Sequence, residues 1–397
     1  MSKYLNLSNI YILLWCLYGL QGSLYARGSA TSQAILAVLL SISLFYTIYA
    51  NARFKLPIYM KALNVMLVMF TAYGVALLFS HETLIIKEDF MGAVSNKDYL
   101  KNIYMSLLPI YAFFVFSKTG QLSVSVIRKW ILVFLGMVIA NFFTQQAELL
   151  AEAEELMYVK DEFTNNVGYS FLAMIPLLLF VKRSFVQYVL LIVCGVFIVA
   201  AMKRGAIITF VLCLPLFFRS TMKGISLTKK MLIFSLIIVS TIAIVYYAFY
   251  MLDTSEYFKD RLDNTLAGDA SNRESMYPLL LHYIFNLTTP LQFLFGRGAW
   301  GTLEVSNNFA HNDWLELGVN QGLLGVIIYI VYWVSFYITT KRLQYNQSLY
   351  AVLLLTIFIT FMKTWFSMSY DNMPIYTTLC IGYCLAHYNT KSQLCVR

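Results

Sequence analysis

With 397 residues, of which 59% are hydrophobic and 12% charged, and a mean hydropathy of +0.67, the chain is too apolar for a soluble globular protein. Its apolar runs are too long for β-barrel strands, so the expected fold class is all-α, a polytopic integral membrane protein. The formal net charge of +9 does not point to nucleic acid, because most basic residues sit in short loops between apolar runs, where they act as topology signals, and no nucleic-acid-binding motif accompanies them.

Windows of about 17 to 25 mostly apolar residues predict twelve membrane helices. They lie at about 9–25, 32–50, 61–80, 102–117, 127–146, 165–181, 184–202, 205–219, 231–252, 314–338, 347–366 and 372–389. The whole chain, 1–397, then forms a single transmembrane domain. The first run follows Lys3 and has Ala26 near a signal-peptidase-like position; an uncleaved first helix is expected, because the following loops make sense only if that helix stays. With the N-terminus in the cytoplasm, Lys3, Arg53, Lys55, Lys118, Arg128, Lys129, Lys182, Arg183, Arg219, Lys341 and Arg342 face inward, while all twenty Asp and Glu residues fall on the outward side. The even number of helices returns the C-terminus to the cytoplasm.

In chain order, the outward segments carry the chemistry. Arg27 stands alone in the first outward turn. Residues 148–163, AELLAEAEELMYVKDEF and its surroundings, read as a short acidic amphipathic helix, a solvated rim or lid. Lys203 and Arg204 sit in a very short acid-free outward turn, where basic residues are disfavoured without a reason; an anionic partner is one reason and an ion pair with another loop is the other. The segment 253–312 is too long for a connector and is expected to hold short helices. Ser271 and Glu274 have capping-box spacing, with Arg273 in the first turn, but Pro278 argues for a helix that starts near Tyr277 instead. MYPLLLHYIFNL is shorter than a span and is expected to lie along the membrane surface. Gly296, Arg297 and Gly298 form a flexible turn. His282 has apolar neighbours and reads as a packing or interfacial residue.

The stretch AHNDWLELGVNQGLLG, residues 310–325, joins this segment to the tenth span. Asn312 and Asp313 are good N-caps, so a helix is expected to begin there, and its unpaired N–H groups would favour the neutral imidazole of His311, the form of a general base. Gly318, Gly322 and Gly325, at i, i+4 and i+7, would line one face of a continuous helix and admit a second helix closely. The six cysteines form neither a disulfide framework nor a metal-ligand pattern, and Cys380 and Cys384 read as small packing residues. No P-loop, dinucleotide fingerprint, serine elbow or metal cluster is present, so neither a metal nor another cofactor is expected.

These pieces together resemble the O-antigen polymerase and O-antigen ligase superfamily of bacterial membrane glycosyltransferases. Ligases of that group carry His, then Asn, Ser or Gln, then nine residues, then Gly-x-x-Gly at the outer end of a late helix. Here His311, Asn312, the nine residues 313–321, Gly322 and Gly325 match it position by position. The family's outward arginines have counterparts in Arg204 of KRGA and Arg273 of NRESMYP. The resemblance covers about residues 165–340.

The resemblance implies a metal-independent transfer of a glycan from undecaprenyl diphosphate to a hydroxyl of an acceptor glycan, at the periplasmic face of the inner membrane. His311 would be the base, Arg204 and Arg273 the cations for the leaving diphosphate, and Lys203 and Arg297 further phosphate contacts. Asp371 and Asn312 would orient His311 or bind sugar. Expected partners are the lipid-linked donor, the acceptor glycan, membrane lipids and a chain-length regulator or other polysaccharide-assembly protein, with no nucleic acid. A polymerase, which extends a lipid-linked repeat unit, is preferred over a ligase, which transfers to the lipid A core. A flippase for lipid-linked oligosaccharides is the reading from another class, but it would call for charges along a mid-membrane path.

Overall fold

The computed structural model of the chain describes residues 6–79, 96–155, 165–222 and 273–388, with scattered positions between 226 and 246. Among the described residues the fold is all-helical, and seven helices are long and apolar enough to cross a membrane: Ala30–Arg53, Ile58–Phe79, Asn96–Lys118, Val124–Leu149, Arg204–Thr221, Gly322–Arg342 and Gln347–Phe366. Four shorter apolar helices, Leu7–Gly19, Gly168–Leu178, Ser184–Ala200 and Ile375–Ala386, fall in the windows predicted first, sixth, seventh and twelfth. The predicted ninth span at 231–252 lies almost wholly outside the described residues, and so does the loop 253–272.

The centre of the bundle is the pair formed by α5 (Pro109–Lys118) and α16 (Ile375–Ala386). Every residue from Pro109 to Phe116 is buried, as is every residue of α16. Lipid tails are as apolar as side chains, so close packing must hold such a pair together. Gly382 provides it: a Cβ there would lie 2.6 Å from the Ile110 carbonyl oxygen and 2.7 Å from the Phe113 Cβ. Around this centre pack α7 (Gly168–Leu178), α15 (Gln347–Phe366) and α2 (Ala30–Arg53). The outer faces of α2, α3 (Ile58–Phe79) and α14 (Gly322–Arg342) expose Leu44, Phe45, Ile48, Val65, Val68, Ile327, Val331 and Val334. Exposed apolar stripes of this extent suit lipid rather than water.

Links between loops sort the helix ends. The N-cap Asn6 and Ser8 donate to the Gln121 carbonyl, Arg128 Nε to the Phe180 carbonyl at 2.6 Å, and Arg342 Nη1 to the Tyr388 hydroxyl at 2.7 Å. These tie together loops predicted to face inward. Between loops predicted to face outward, Arg27 pairs with Glu148 at 2.9 Å.

Several expected boundaries are corrected. The acidic run is not a separate helix up to residue 155, because α6 spans Val124–Glu155 without a break; residues 156–164 lie outside the described residues. The fourth window is met by the membrane-length helix Asn96–Lys118, in which Pro109 interrupts the hydrogen-bond ladder at Leu108 and divides it into α4 (Asn96–Leu107) and α5. Pro278 does not delay the helix after the 253–272 loop: α10 runs Arg273–His282 with Pro278 inside, at the cost of one backbone hydrogen bond. The pairing of Ser271 with Glu274 lies outside the described residues.

Beyond α10, a π-helical turn (Tyr283–Leu287) and α11 (Pro290–Phe295) follow, the latter closed by a capping box between Thr289 and Gln292. One face of this segment, Met276, Leu280 and Tyr283, packs on Ala310 and Val319. The other exposes Leu279, Phe285, Leu287, Leu291 and Phe295, the amphipathic pattern expected of a surface-lying segment.

The expected continuous helix over 314–338 is broken. Helix α13 is Asp313–Asn320 and α14 begins at Gly322, with Gln321 between them. Gly322 has φ +65°, a left-handed conformation that glycine adopts without strain. A Cβ there would lie 2.4 Å from the Gly296 nitrogen, and one at Gly296 (φ +76°) would lie 2.4 Å from the Asn320 carbonyl oxygen. The 296–298 turn therefore crosses the break backbone against backbone, with Arg297 N–H on the Val319 carbonyl at 2.8 Å and Gly298 N–H on the Asn320 carbonyl at 2.9 Å. The three glycines consequently do not form one helix-facing stripe. Gly318 faces the side chain of Ile284, and Gly325 accommodates the side chain of Gln321 from its own chain segment.

Candidate functional site

The C-terminal end of α15 is where the sequence-predicted residues gather. Arg273 is the first described residue of α10, and its Nη2 donates to the carbonyl of Phe366, the last residue of α15, at 3.2 Å. Arg204 opens α9 (Arg204–Thr221), preceded by Lys203 at the N-cap. Its neighbour Gly205 lies so close to α15 that a Cβ would sit 2.4 Å from the Phe366 Cβ and 2.4 Å from the Tyr169 hydroxyl oxygen. The Tyr169 hydroxyl in turn donates to the same Phe366 carbonyl at 3.4 Å. The start of α9 and the guanidinium of Arg273, far apart in the chain, therefore approach the same residue, Phe366, and both arginines are half-buried.

The turn carrying Lys203 and Arg204 is set by its packing on α7. Asn165 is buried and donates from Nδ2 to the Phe142 carbonyl at 3.0 Å, while its backbone N–H reaches the Ala201 carbonyl at 3.2 Å. Gly168 lets Ala201 approach to within 2.9 Å of where a Cβ would stand. Met202, directly before Lys203, is left-handed at φ +53°.

His311 reaches the same end of α15 through the two residues that follow its cap. Asn312 is buried and is the N-cap of α13, its Oδ1 accepting from Trp314 N–H at 2.9 Å and Leu315 N–H at 3.2 Å. This places Asn312 in a structural role and His311 immediately outside the helix. Asp313 is fully buried; its Oδ1 accepts from the Ser369 N–H at 2.8 Å, and its other oxygen from the Tyr329 hydroxyl. The Trp314 indole N–H donates to the Thr364 hydroxyl at 3.1 Å. His311 itself is half-buried with φ +50°. A non-glycine residue in that region costs on the order of 1–2 kcal/mol and persists only where its surroundings hold it. Among the described residues four non-glycine positions are left-handed, and two of them are His311 and the Met202 that precedes Lys203.

Arg297 is not brought to this place. It lies at the far end of α13, where its Nε pairs with Glu304 and its Nη1 donates to the Tyr283 hydroxyl at 3.5 Å. Asp371 is half-buried in the loop between α15 and α16, and among the described residues its Oδ1 has no hydrogen-bond partner. Burial pushes its carboxyl up to about 6, with the nearby Lys363 ammonium opposing the shift. His282 is exposed beside Asn286, at 3.1 Å.

Three ionisable residues of this region went unremarked as site residues in the sequence reading. Lys363, in the last turn of α15, is buried; its ammonium donates to the Asn372 carbonyl and stands 5.7 Å from the Tyr169 ring centre. A lysine inside an otherwise apolar run is itself a signal of this kind. Glu316 is fully buried, with burial pushing its carboxyl up to about 7, and burial holds the Asp313 carboxyl well above the ordinary carboxylate range. Their spacing, an acid at the first helical position and another three residues on, was legible only as helix-dipole complementarity. A small cavity beside Lys363 is lined by Tyr169, Thr360, Ser369 and Met373.

The C-terminal end of α15 and the segment after it are thus approached by the start of α9, the Arg273 guanidinium, and the Asp313 and Trp314 side chains that follow the left-handed His311. Among the described residues no group of three or more His, Cys, Asp or Glu residues is placed to hold a metal ion. Comparison of the chain with protein families and with curated proteins finds no match.

Proposed function

We propose that the protein is a membrane glycosyltransferase that moves a glycan from an undecaprenyl diphosphate donor onto a sugar hydroxyl of a lipid-linked repeat unit, as an O-antigen polymerase does. The observation that supports this reading is the approach of the α9 start, through Gly205, and of the Arg273 guanidinium to Phe366, with Asp313, two residues after His311, accepting from the Ser369 N–H three residues further on. A diphosphate leaving group develops negative charge that fixed guanidinium groups stabilise. A sugar hydroxyl is a weak acid and needs a base within hydrogen-bond reach. Arg204 and Arg273 serve the first need, with Lys203 beside them, and His311 serves the second. Asp371 offers its enclosed oxygen to a sugar hydroxyl. A single displacement of this kind inverts the anomeric centre and uses no metal.

The same reading puts twelve spans in the bacterial inner membrane, both termini in the cytoplasm, and the 253–312 loop with the site on the periplasmic side. A ligase that transfers to the lipid A core is the second reading, favoured by the match of His311, Asn312, Gly322 and Gly325 to the ligase pattern. A flippase draws less support, since Lys363, Asp313 and Asp371 stand at helix ends rather than along a path through the bundle.

The test is glycan transfer in membranes from donor and acceptor lipids. His311→Ala should abolish transfer while leaving the amount of protein in the membrane unchanged; retained transfer removes His311 from the chemistry. Arg204→Ala and Arg273→Ala should mainly weaken use of the donor. In a deletion strain, single repeat units attached to the lipid core identify a lost polymerase, and long chains accumulating on the carrier lipid identify a lost ligase.

A further inference from the structure

The His311 turn is held from both sides. Downstream, Asn312 caps α13. Upstream, the buried Ala310 donates its backbone N–H to Oε1 of Glu316 at 2.5 Å. Glu316 has two further donors on its other oxygen, the Thr302 hydroxyl at 2.6 Å and the Asn320 amide at 3.1 Å. Asn320 closes the ring by accepting the Thr302 N–H at 2.9 Å. One carboxyl thus joins α12 (Gly301–Ser306), the chain just before His311, and the C-terminal end of α13. A fully buried carboxyl is costly to keep, and here one of its three hydrogen bonds ends on the residue adjoining the strained histidine.

We infer that Glu316 is the positioning residue for His311: through the Ala310 N–H it fixes the left-handed turn that aims the imidazole. This rests on the reading of His311 as the base. Removing the carboxyl frees the Ala310 N–H, and the turn can then relax from φ +50° to an unstrained conformation. Glutamine keeps an oxygen for Ala310 but turns a donor toward the Asn320 amide, so it restores part of the hold.

The experiment uses the full chain in detergent and follows carbethoxylation of individual histidines by peptide mass spectrometry. Glu316→Ala should raise the modification rate of His311 by about fivefold or more, as expected for a locally opened turn. The exposed His282 serves as the internal control and should be unchanged. Glu316→Gln should fall between the two. Thr302→Val, which removes one donor and leaves the carboxyl in place, should give a smaller rise; it carries the test if Glu316→Ala does not fold. Unchanged His311 modification in the folded variants overturns the inference.

Transfer assays then separate this inference from the function it rests on. Glu316→Ala should lower kcat about tenfold or more with little change in KM for the donor, since the arginines stay in place. If the wild type transfers no glycan while His311 modification responds as expected, the enzyme reading fails and the positioning role stands. If the wild type transfers glycan and the Glu316 variants match it in both measurements, the positioning role fails and the enzyme reading stands.

Discussion

At His311, a ring that is ordinary in composition becomes distinctive through its backbone. Its left-handed φ is stored strain, and the buried groups on either side, Asn312 and Glu316, keep it there. The His-Asn pair and the cap were readable from residue types, because capping depends on neighbours in the chain. Glu316 was not readable as a buried group, because its burial comes from α12 and the 310 backbone, which approach only in three dimensions. Its chemistry has a consequence for pH. Burial holds its carboxyl at about 7 against an ordinary 4.5, with the Asp371 carboxyl a further raising influence and the Thr302, Ala310 and Asn320 donors opposing. A group whose folded value is raised binds more protons in the folded state, so its contribution to stability is present below about 4.5 and is lost as pH rises through about 7. That displacement corresponds to on the order of 3 kcal/mol. Melting in detergent should therefore fall between pH 5 and about pH 8 in the wild type, and Glu316→Gln should flatten the fall. An equally steep fall in the variant would assign the pH dependence to Asp313 and Asp371, whose values are displaced in the same direction.

At the scale of elements, the decisive feature is the joint between α13 and α14. A glycine at i, i+4 and i+7 reads as a packing stripe if the helix is continuous, and as a hinge if one glycine turns left-handed. Nothing local distinguishes the two, since glycine adopts both conformations at similar cost. The approach of Gly296 selects the second. Gly322→Ala should cost about 2–4 kcal/mol, from the left-handed conformation and the collision with the Gly296 backbone together. Gly136→Ala, on a helix and with nothing within 4 Å of a Cβ, should be neutral or slightly stabilising. Thermal melts of the two variants check both, and equal melting temperatures would remove the joint as a structural requirement. Pro278 teaches the converse: one missing hydrogen bond did not outweigh the packing of Met276, Leu280 and Tyr283 on Ala310 and Val319.

At the scale of the whole molecule, the separation of charges along the chain becomes a difference between the two ends of the bundle. Single cysteines can read it, since the described native cysteines are all buried. With Cys395 replaced by Ser, a membrane-impermeant thiol reagent should label Leu24→Cys and Asn308→Cys from outside the inner membrane. Thr119→Cys and Gln344→Cys should label only after the membrane is opened. The opposite pattern would place the His311 end in the cytoplasm, where a periplasmic transferase cannot work. What residue order alone determined is the helical membrane class, most window positions and the cap at Asn312; these follow from hydropathy and hydrogen bonding between near neighbours. The approach of the α9 start and the Arg273 guanidinium to Phe366, the pairing that removes Arg297 from it, and the enclosure of Glu316 and Lys363 were decided by tertiary packing. The first depends on segments many tens of residues apart, while Arg297 and Glu316 depend on partners within 14 residues that only the turns between short helices bring round, and neither leaves a period or spacing in the sequence.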